Sequence, residues 1–509
     1  MSRLAKTSLL LAVCFGIDKV LAVVRQVLIA RQFGLSPQLD AFNAANNIPD
    51  MLFALISGGA LAMALIPVLS ATAAEGDRRQ AWLLFSRIAN LAFLVTAGVA
   101  ALVALFADPL VRSQIGVAPG FTPEQQGTVV NLMRLNLIAT TIFSVSGLVI
   151  AGLQAQRHFL LPALAPIFYN LGQIFGVLVL APSQGYHLGP LTLPAFGLGV
   201  YGLVYGVILG ALLHLLIQLP GLPLTGFAWQ PRLDLKSPQV RKVLSLLAPR
   251  VGSVFLIQLT FIMRDNFASR LPSGSVTALT YGYMIQQVPE TLIGTAIGTA
   301  LLPTLSTYFA NHDMEAFRES IQRAIYILIA ITLPVAAVLS LSIGPFLQVV
   351  FGFDTGQTGL VQLAAQAFLI GLLGQSLLEV GSRSFYAQQD ALVPLAASAI
   401  TPVLYLIFGS LLYRPLGVFG IGLTDSLAFT VEALLLLFLL HRRFSWPVAL
   451  AAPVGRGLAA MALSGALCWG LIHFPGQTGS LRASASAIVL GALVSIPLVW
   501  PQLRSLRRL

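Results

Sequence analysis

Long apolar stretches recur along this chain from one end to the other, and that pattern leaves few folds open. Fourteen runs can be marked, at roughly 5–33, 39–70, 82–107, 128–153, 158–181, 194–219, 241–270, 275–309, 316–341, 360–387, 391–412, 417–441, 453–474 and 483–502. A spanning helix needs about 20 apolar residues. In lipid each backbone polar group must find its partner inside the segment, so runs of this length read as helices. The expected fold class is an all-α polytopic membrane protein of about fourteen transmembrane helices. Arg134 and Asn136 interrupt the fourth run, and the stretch 345–359 reads as a short interfacial piece.

Only 9% of the 509 residues are charged, against about 25% in soluble proteins. No polar stretch approaches the roughly 50 residues of a small soluble domain. The net charge of +11 therefore reads as loop charge facing the cytoplasm and anionic headgroups, and no nucleic-acid partner is expected. The first run is too long for the apolar core of a signal peptide and reads as a retained helix. Cys14 and Cys468 both lie in apolar runs and read as small core residues.

An even helix count puts both termini on one side. Arg3, Lys6, Arg78, Arg79, Arg157, Arg232, Lys236, Arg241, Lys242, Arg318, Arg323, Arg442, Arg443 and the tail Arg504, Arg507 and Arg508 then fall together, with little beyond Arg112, Arg414 and Arg482 opposite. That bias predicts cytoplasmic termini.

The chain also repeats itself. Ala64-Leu-Ile-Pro-Val-Leu-Ser70 recurs as Ala300-Leu-Leu-Pro-Thr-Leu-Ser306, and Asn46-Asn-Ile-Pro-Asp50 as Gln286-Gln-Val-Pro-Glu290. Arg25 and Arg31 recur as Arg264 and Arg270, and Ala155-Gln156 with Pro162 as Ala387-Gln388 with Pro394. All offsets lie between 232 and 240 residues. The pattern predicts two parallel six-helix repeats, 1–220 and 221–445, with two extra C-terminal helices in 446–509. Parallel repeats place a substrate site between them.

Cations inside the first run mark the candidate site. A charge at the bilayer centre costs about 2.5–3.5 kcal/mol on insertion scales, so it normally faces water or a partner. Lys19 and Arg25 point to an anionic ligand, most simply phosphate. Asp40, Asn43, Asn47 and Asp50 fall on one helical face of the second run, as the three- and four-residue spacing requires. Tyr283, Gln286, Gln287 and Glu290 form the matching stripe. Two such stripes read as walls of a polar cavity, or as hydrogen bonds between helices. Arg264 adjoins Asp265 and reads equally as a ligand group or an internal ion pair. Gly16, Pro49, Pro67, Pro289 and Pro303 are expected to bend their helices.

No catalytic residues are expected: there is no phosphate-binding Gly-rich Lys loop, no H-E-x-x-H and no metal-ligand spacing. No metal or other cofactor is called for, and a coupling ion or the membrane potential stays open. Rival readings of the residues are an exporter of another lipid-linked glycan or a drug, a transferase acting on polyprenyl phosphates, or a scaffold for cell-wall enzymes.

The N-terminal third carries a specific pattern: Lys19-Val-Leu-Ala-Val-Val-Arg25, Ala30-Arg-Gln-Phe-Gly34, Asp40-Ala-Phe42, Ile48-Pro-Asp50, then Gly59-Ala60 through Ile66-Pro67. It resembles the MurJ (MviN) family, the lipid II flippases of bacterial peptidoglycan synthesis. Tyr281, Val288-Pro-Glu290, Gly298 to Ser306, Phe385-Tyr386 and Gln389-Asp390 are similar to the family's second half. The resemblance implies the fold of the multidrug/oligosaccharidyl-lipid/polysaccharide (MOP) exporters and a place in the bacterial cell membrane. It also implies transport of undecaprenyl-pyrophosphate-linked disaccharide-pentapeptide to the outer leaflet. In such proteins cavity cations hold the pyrophosphate and the two extra helices form a groove for the lipid tail. On that pattern Lys19, Arg25 and Asp40 carry over as site residues. The implied partners are a lipid-linked anionic substrate, membrane lipids and, as an open alternative, cell-wall synthesis proteins. Phe53, Ala54, Gly58, Tyr283, Met284 and Gln287 stand where the family usually carries charge, which implies a less charged cavity.

Overall fold

The computed structural model describes residues 3–57, 65, 68–69, 78–156, 158–189, 191–224, 227, 229–444, 451–473 and 480–505. They are almost wholly helical and belong to two compact units, Met1–Asn266 and Phe267–Leu509. Among the described residues nine helices are long and apolar enough to cross a membrane, or ten with one bent pair taken as a single span. The all-helical, multi-pass class therefore holds. The figure of fourteen is not established by these spans: two further 31-residue helices carry several charges, and residues 58–77 lie largely outside the described set.

In the first unit α1 (Arg3–Phe33) turns at Gly34, φ 54°, into α2 (Pro37–Leu52). The Ser36 hydroxyl caps α2 by accepting from Leu39 N at 3.3 Å, which satisfies one of the helix's orphan donors. Then follow α3 (Arg78–Leu105), α4 (Ala107–Arg112), α5 (Pro123–Ala155) and α6 (Leu160–Phe175). A two-residue hairpin, β1 (His187–Leu188) with β2 (Leu191–Thr192), leads to α7 (Val200–Leu216), α8 (Gly221–Leu224) and α9 (Pro238–Ala268). Helix α5 runs unbroken through Arg134 and Asn136, and packs on α2, α3 and α7. Trp82, Phe85 and Ile88 of α3 close a core with Leu148 of α5 and Val240 and Val243 of α9. Helices α6 and α7 meet backbone to backbone: a Cβ on Gly172 would lie 2.4 Å from the Gly210 Cα, and one on Gly176 2.7 Å from the Gly206 Cα. Small residues allow this approach, which is how helices gain packing in lipid.

The second unit holds α10 (Ser275–Glu290), α11 (Ala296–Ala310), α12 (Met314–Phe346), α13 (Thr355–Ile370), α14 (Leu372–Ala387), α15 (Leu392–Ser398) and α16 (Ile400–Phe444), the last being two helical parts joined across a kink at Gly417. The last two helices, α17 (Ala451–His473) and α18 (Leu481–Ser505), pack on α12 and on each other. The stretch 345–359 is no separate interfacial piece. Helix α12 continues through a π turn, Leu347–Phe351, and Asp354 then caps α13 by accepting from Gln357 N at 2.8 Å.

The sequence repeat has structural counterparts. Helix α2 passes Pro49 and opens into a π turn, Phe53–Ser57; α10 passes Pro289 and opens into another, Thr291–Thr295. Proline removes a backbone donor and crowds the preceding turn, and a π turn absorbs the misfit. A second pair was not expected. Leu198-Gly-Val-Tyr-Gly202 and Leu416-Gly-Val-Phe-Gly420 each start a helix at a glycine with almost the same backbone, φ 54°, ψ −133° at Gly199 and φ 56°, ψ −134° at Gly417. Only glycine enters that region readily.

Candidate functional site

The cations of α1 sit in a polar network inside the first unit. Arg25, half-buried, donates through Nη1 to the Asn170 Oδ1 on α6 at 3.0 Å. The Asn170 Nδ2 donates to the Asp18 Oδ1 at 2.8 Å, and the Asp18 Oδ2 lies 3.9 Å from the Lys19 Nζ. The Lys19 side chain is 83% exposed. Arg25 Nε is buried and makes no hydrogen bond among the described residues. Tyr169, beside Asn170 on α6, is within electrostatic reach of both Arg25 and Asp50. Helix α1 packs along α6, and this pairing brings residues 145 positions apart into contact.

Asp40 opens the second helix. It is 1% exposed and lies in the first turn of α2. By helical rise Arg25 is about 12 Å, and Lys19 about 21 Å, back from the end of α1 that the turn follows. Asp50, three turns further along α2, shares Tyr169 with Arg25 instead. Asn43 is half-buried. Asn47 donates through Nδ2 to the Asp265 carboxylate on α9. Asp265 also pairs with its neighbour Arg264, whose Nε is 3.2 Å away. Arg264 is 7% exposed and lies over the Phe261 ring. Of the two expected roles, the structure displays the internal ion pair.

The matching stripe of α10 splits. Gln286 is fully buried and donates through Nε2 to the Gln375 Oε1 of α14 at 2.6 Å; Gln375 donates onward to the Asp425 Oδ2 of α16 at 3.0 Å. Its counterpart Asn46 accepts from the Asn136 Nδ2 of α5. The two pairs stand 240 and 239 residues apart in sequence, so each half carries an amide bond between equivalent helices. Gln287 is exposed. Glu290 is half-buried, accepts from the Thr295 hydroxyl at 3.0 Å, and faces the Glu379–Arg383 ion pair, closed at 2.8 Å.

Of the residues expected to bend helices, Pro49 and Pro289 precede the π turns. Gly16 and Pro303 sit within unbroken helices, and Pro67 lies outside the described residues. Sequence reasoning missed Asp18, Tyr169, Asn170 and Gln375, and read Asn136 only as an interruption of its run. The one signal available was that each is a polar side chain inside an apolar run. In the second unit α12 and α18 leave an apolar groove of about 300 Å³, lined by Pro334, Val338, Ile488, Ile496 and Val499 among others.

A helical bundle with at least nine apolar spans among the described residues belongs to the class of multi-pass membrane proteins. The lipid II flippase MurJ family model matches residues 29–488, and the chain belongs to that family. The lipid II flippase MurJ of Burkholderia cenocepacia is 30% identical, covering 95% of this chain and 94% of its own length. A probable lipid II flippase MurJ of Vibrio cholerae is 27% identical over 92% and 89%. Among solved structures, a lipid II flippase MurJ in an inward closed conformation superposes with a TM-score of 0.76 at 19% identity, covering 98% of this chain and 99% of that one. An inward-facing multidrug resistance MATE transporter of the MOP superfamily gives 0.68 at 16%, over 84% and 94%. These two likenesses establish the fold.

Proposed function

We propose that this protein flips lipid II, the undecaprenyl-pyrophosphate-linked disaccharide-pentapeptide, from the cytoplasmic to the outer leaflet of the bacterial cell membrane. The observation that carries the proposal is Arg25: a cation within a membrane helix, held by one neutral amide, with Nε unpartnered among the described residues. A guanidinium offers five donors in a planar fork suited to phosphate oxygens, and Lys19 adds an exposed point charge six residues away. Asn43 of α2 supplies an amide for sugar or peptide, and the apolar groove along α12 and α18 has the chemistry to take the polyprenyl tail. The pyrophosphate binds from the cytoplasmic side. The helices then bend at Pro49 and Pro289, and the headgroup leaves on the other side while the tail stays in lipid. No bond of the substrate is made or broken.

The test is complementation of a strain depleted of its lipid II flippase. The wild-type chain restores growth, and Arg25→Ala fails while still reaching the membrane. Growth supported fully by Arg25→Ala, or a covalent product formed from labelled lipid-linked sugar by the purified protein, overturns the reading.

A further inference from the structure

Arg25 has a carboxylate on its own helix and does not use it. Asp18 lies seven residues earlier on α1, close to the same face and about 10 Å away along the axis. Asn170 fills the gap. Its Oδ1 accepts from Arg25 at 3.0 Å, and its Nδ2 donates to Asp18 at 2.8 Å and to the Pro166 carbonyl at 3.2 Å. Asn170 is 3% exposed, so these bonds are shielded from water and correspondingly strong.

We infer that Asn170 is a positioning residue, a neutral bridge that fixes the Arg25 guanidinium and keeps Asp18 from neutralising it. An amide can accept from the arginine with one end and donate to the carboxylate with the other. A carboxylate in its place would pair with Arg25 directly and repel Asp18. A small apolar residue would leave Arg25 free to swing toward Asp18. The chain holds its own control: Arg264, the repeat counterpart of Arg25, is paired with Asp265 and almost wholly buried. One arginine is closed on a carboxylate and the other is held open on an amide.

The inference rests on the reading that Arg25 binds the pyrophosphate, and the experiment separates the two. Binding of undecaprenyl pyrophosphate to purified protein in detergent is measured alongside the thermal unfolding midpoint. Asn170→Asp keeps the side-chain shape, lowers the midpoint somewhat through its contact with Asp18 while the protein stays folded, and weakens binding by about tenfold, the worth of one charge-assisted hydrogen bond. Asn170→Ala weakens it by about fivefold, and adding Asp18→Asn to that variant recovers most of the loss, because no carboxylate is left to capture Arg25. An asparagine that only supported packing would not be rescued by a change on another helix. Wild-type binding in Asn170→Asp, or no recovery in the Asn170→Ala/Asp18→Asn pair, overturns the inference. Wild-type binding in Arg25→Ala overturns the functional reading instead.

Discussion

A buried charged side chain must be answered, and Arg264 is answered by Asp265 while Asp265 also takes a bond from Asn47. Removing one partner of such a pair strands the other charge, at a cost of about 3–5 kcal/mol. Arg264→Ala should therefore lower the thermal unfolding midpoint markedly in detergent, and the Arg264→Leu/Asp265→Asn double variant should recover most of it. An unfolding midpoint for Arg264→Ala equal to wild type would show the pair to be idle. Lys19 and Arg25 were legible in sequence because a cation in an apolar run has few excuses. Asn170 was not, because a lone asparagine there reads as ordinary helix glue and its partner lies 145 residues away. Asp40 presents a different case. Its charge was visible, but its place in the first turn of α2, off the level of Arg25, depends on where α1 ends.

Among the elements, the tightest constraint lies between α6 and α7. With Gly172 and Gly210 in backbone contact, Gly172→Leu must push the helices apart, and overpacking of this kind costs about 1–3 kcal/mol. The expected readout is a lower unfolding midpoint, with Gly16→Ala, a position with open space around it, left near wild type. The prolines of α2 and α10 call for a different measurement. Pro49→Ala restores a backbone donor and stiffens the helix, so transport should slow severalfold while pyrophosphate binding holds; equal transport rates would make the bend static. The existence of most helices was plain from the length of the apolar runs. The π turns and the join between α12 and α13 were not, because both depend on how a helix accommodates its neighbours and its cap rather than on composition.

For the whole molecule, duplication and charge bias were the most readable properties. The repeat offsets reappear as paired amide bonds and paired π turns. Sequence and packing treat the seventh stretch differently: the repeat counts α9 with the second half, while Asp265 and Asn266 bond it to α2 and to the loop before α5. The basic loops predict that both termini face the cytoplasm. Because Cys14 and Cys468 are buried, single cysteines introduced at 79 and 115 can be labelled in intact cells. A membrane-impermeant reagent should reach position 115 and spare position 79; the opposite result would invert the topology. Finally, each π turn fits one surplus residue into a helical turn. Deleting one residue from Phe53–Ser57, or from Thr291–Thr295, would collapse the wide turn to an ordinary α turn and leave the flanking helix nearly in phase. Each half thus carries one removable amino acid beside its proline, and a one-codon loss there would straighten the helix without changing any side chain that touches the cargo.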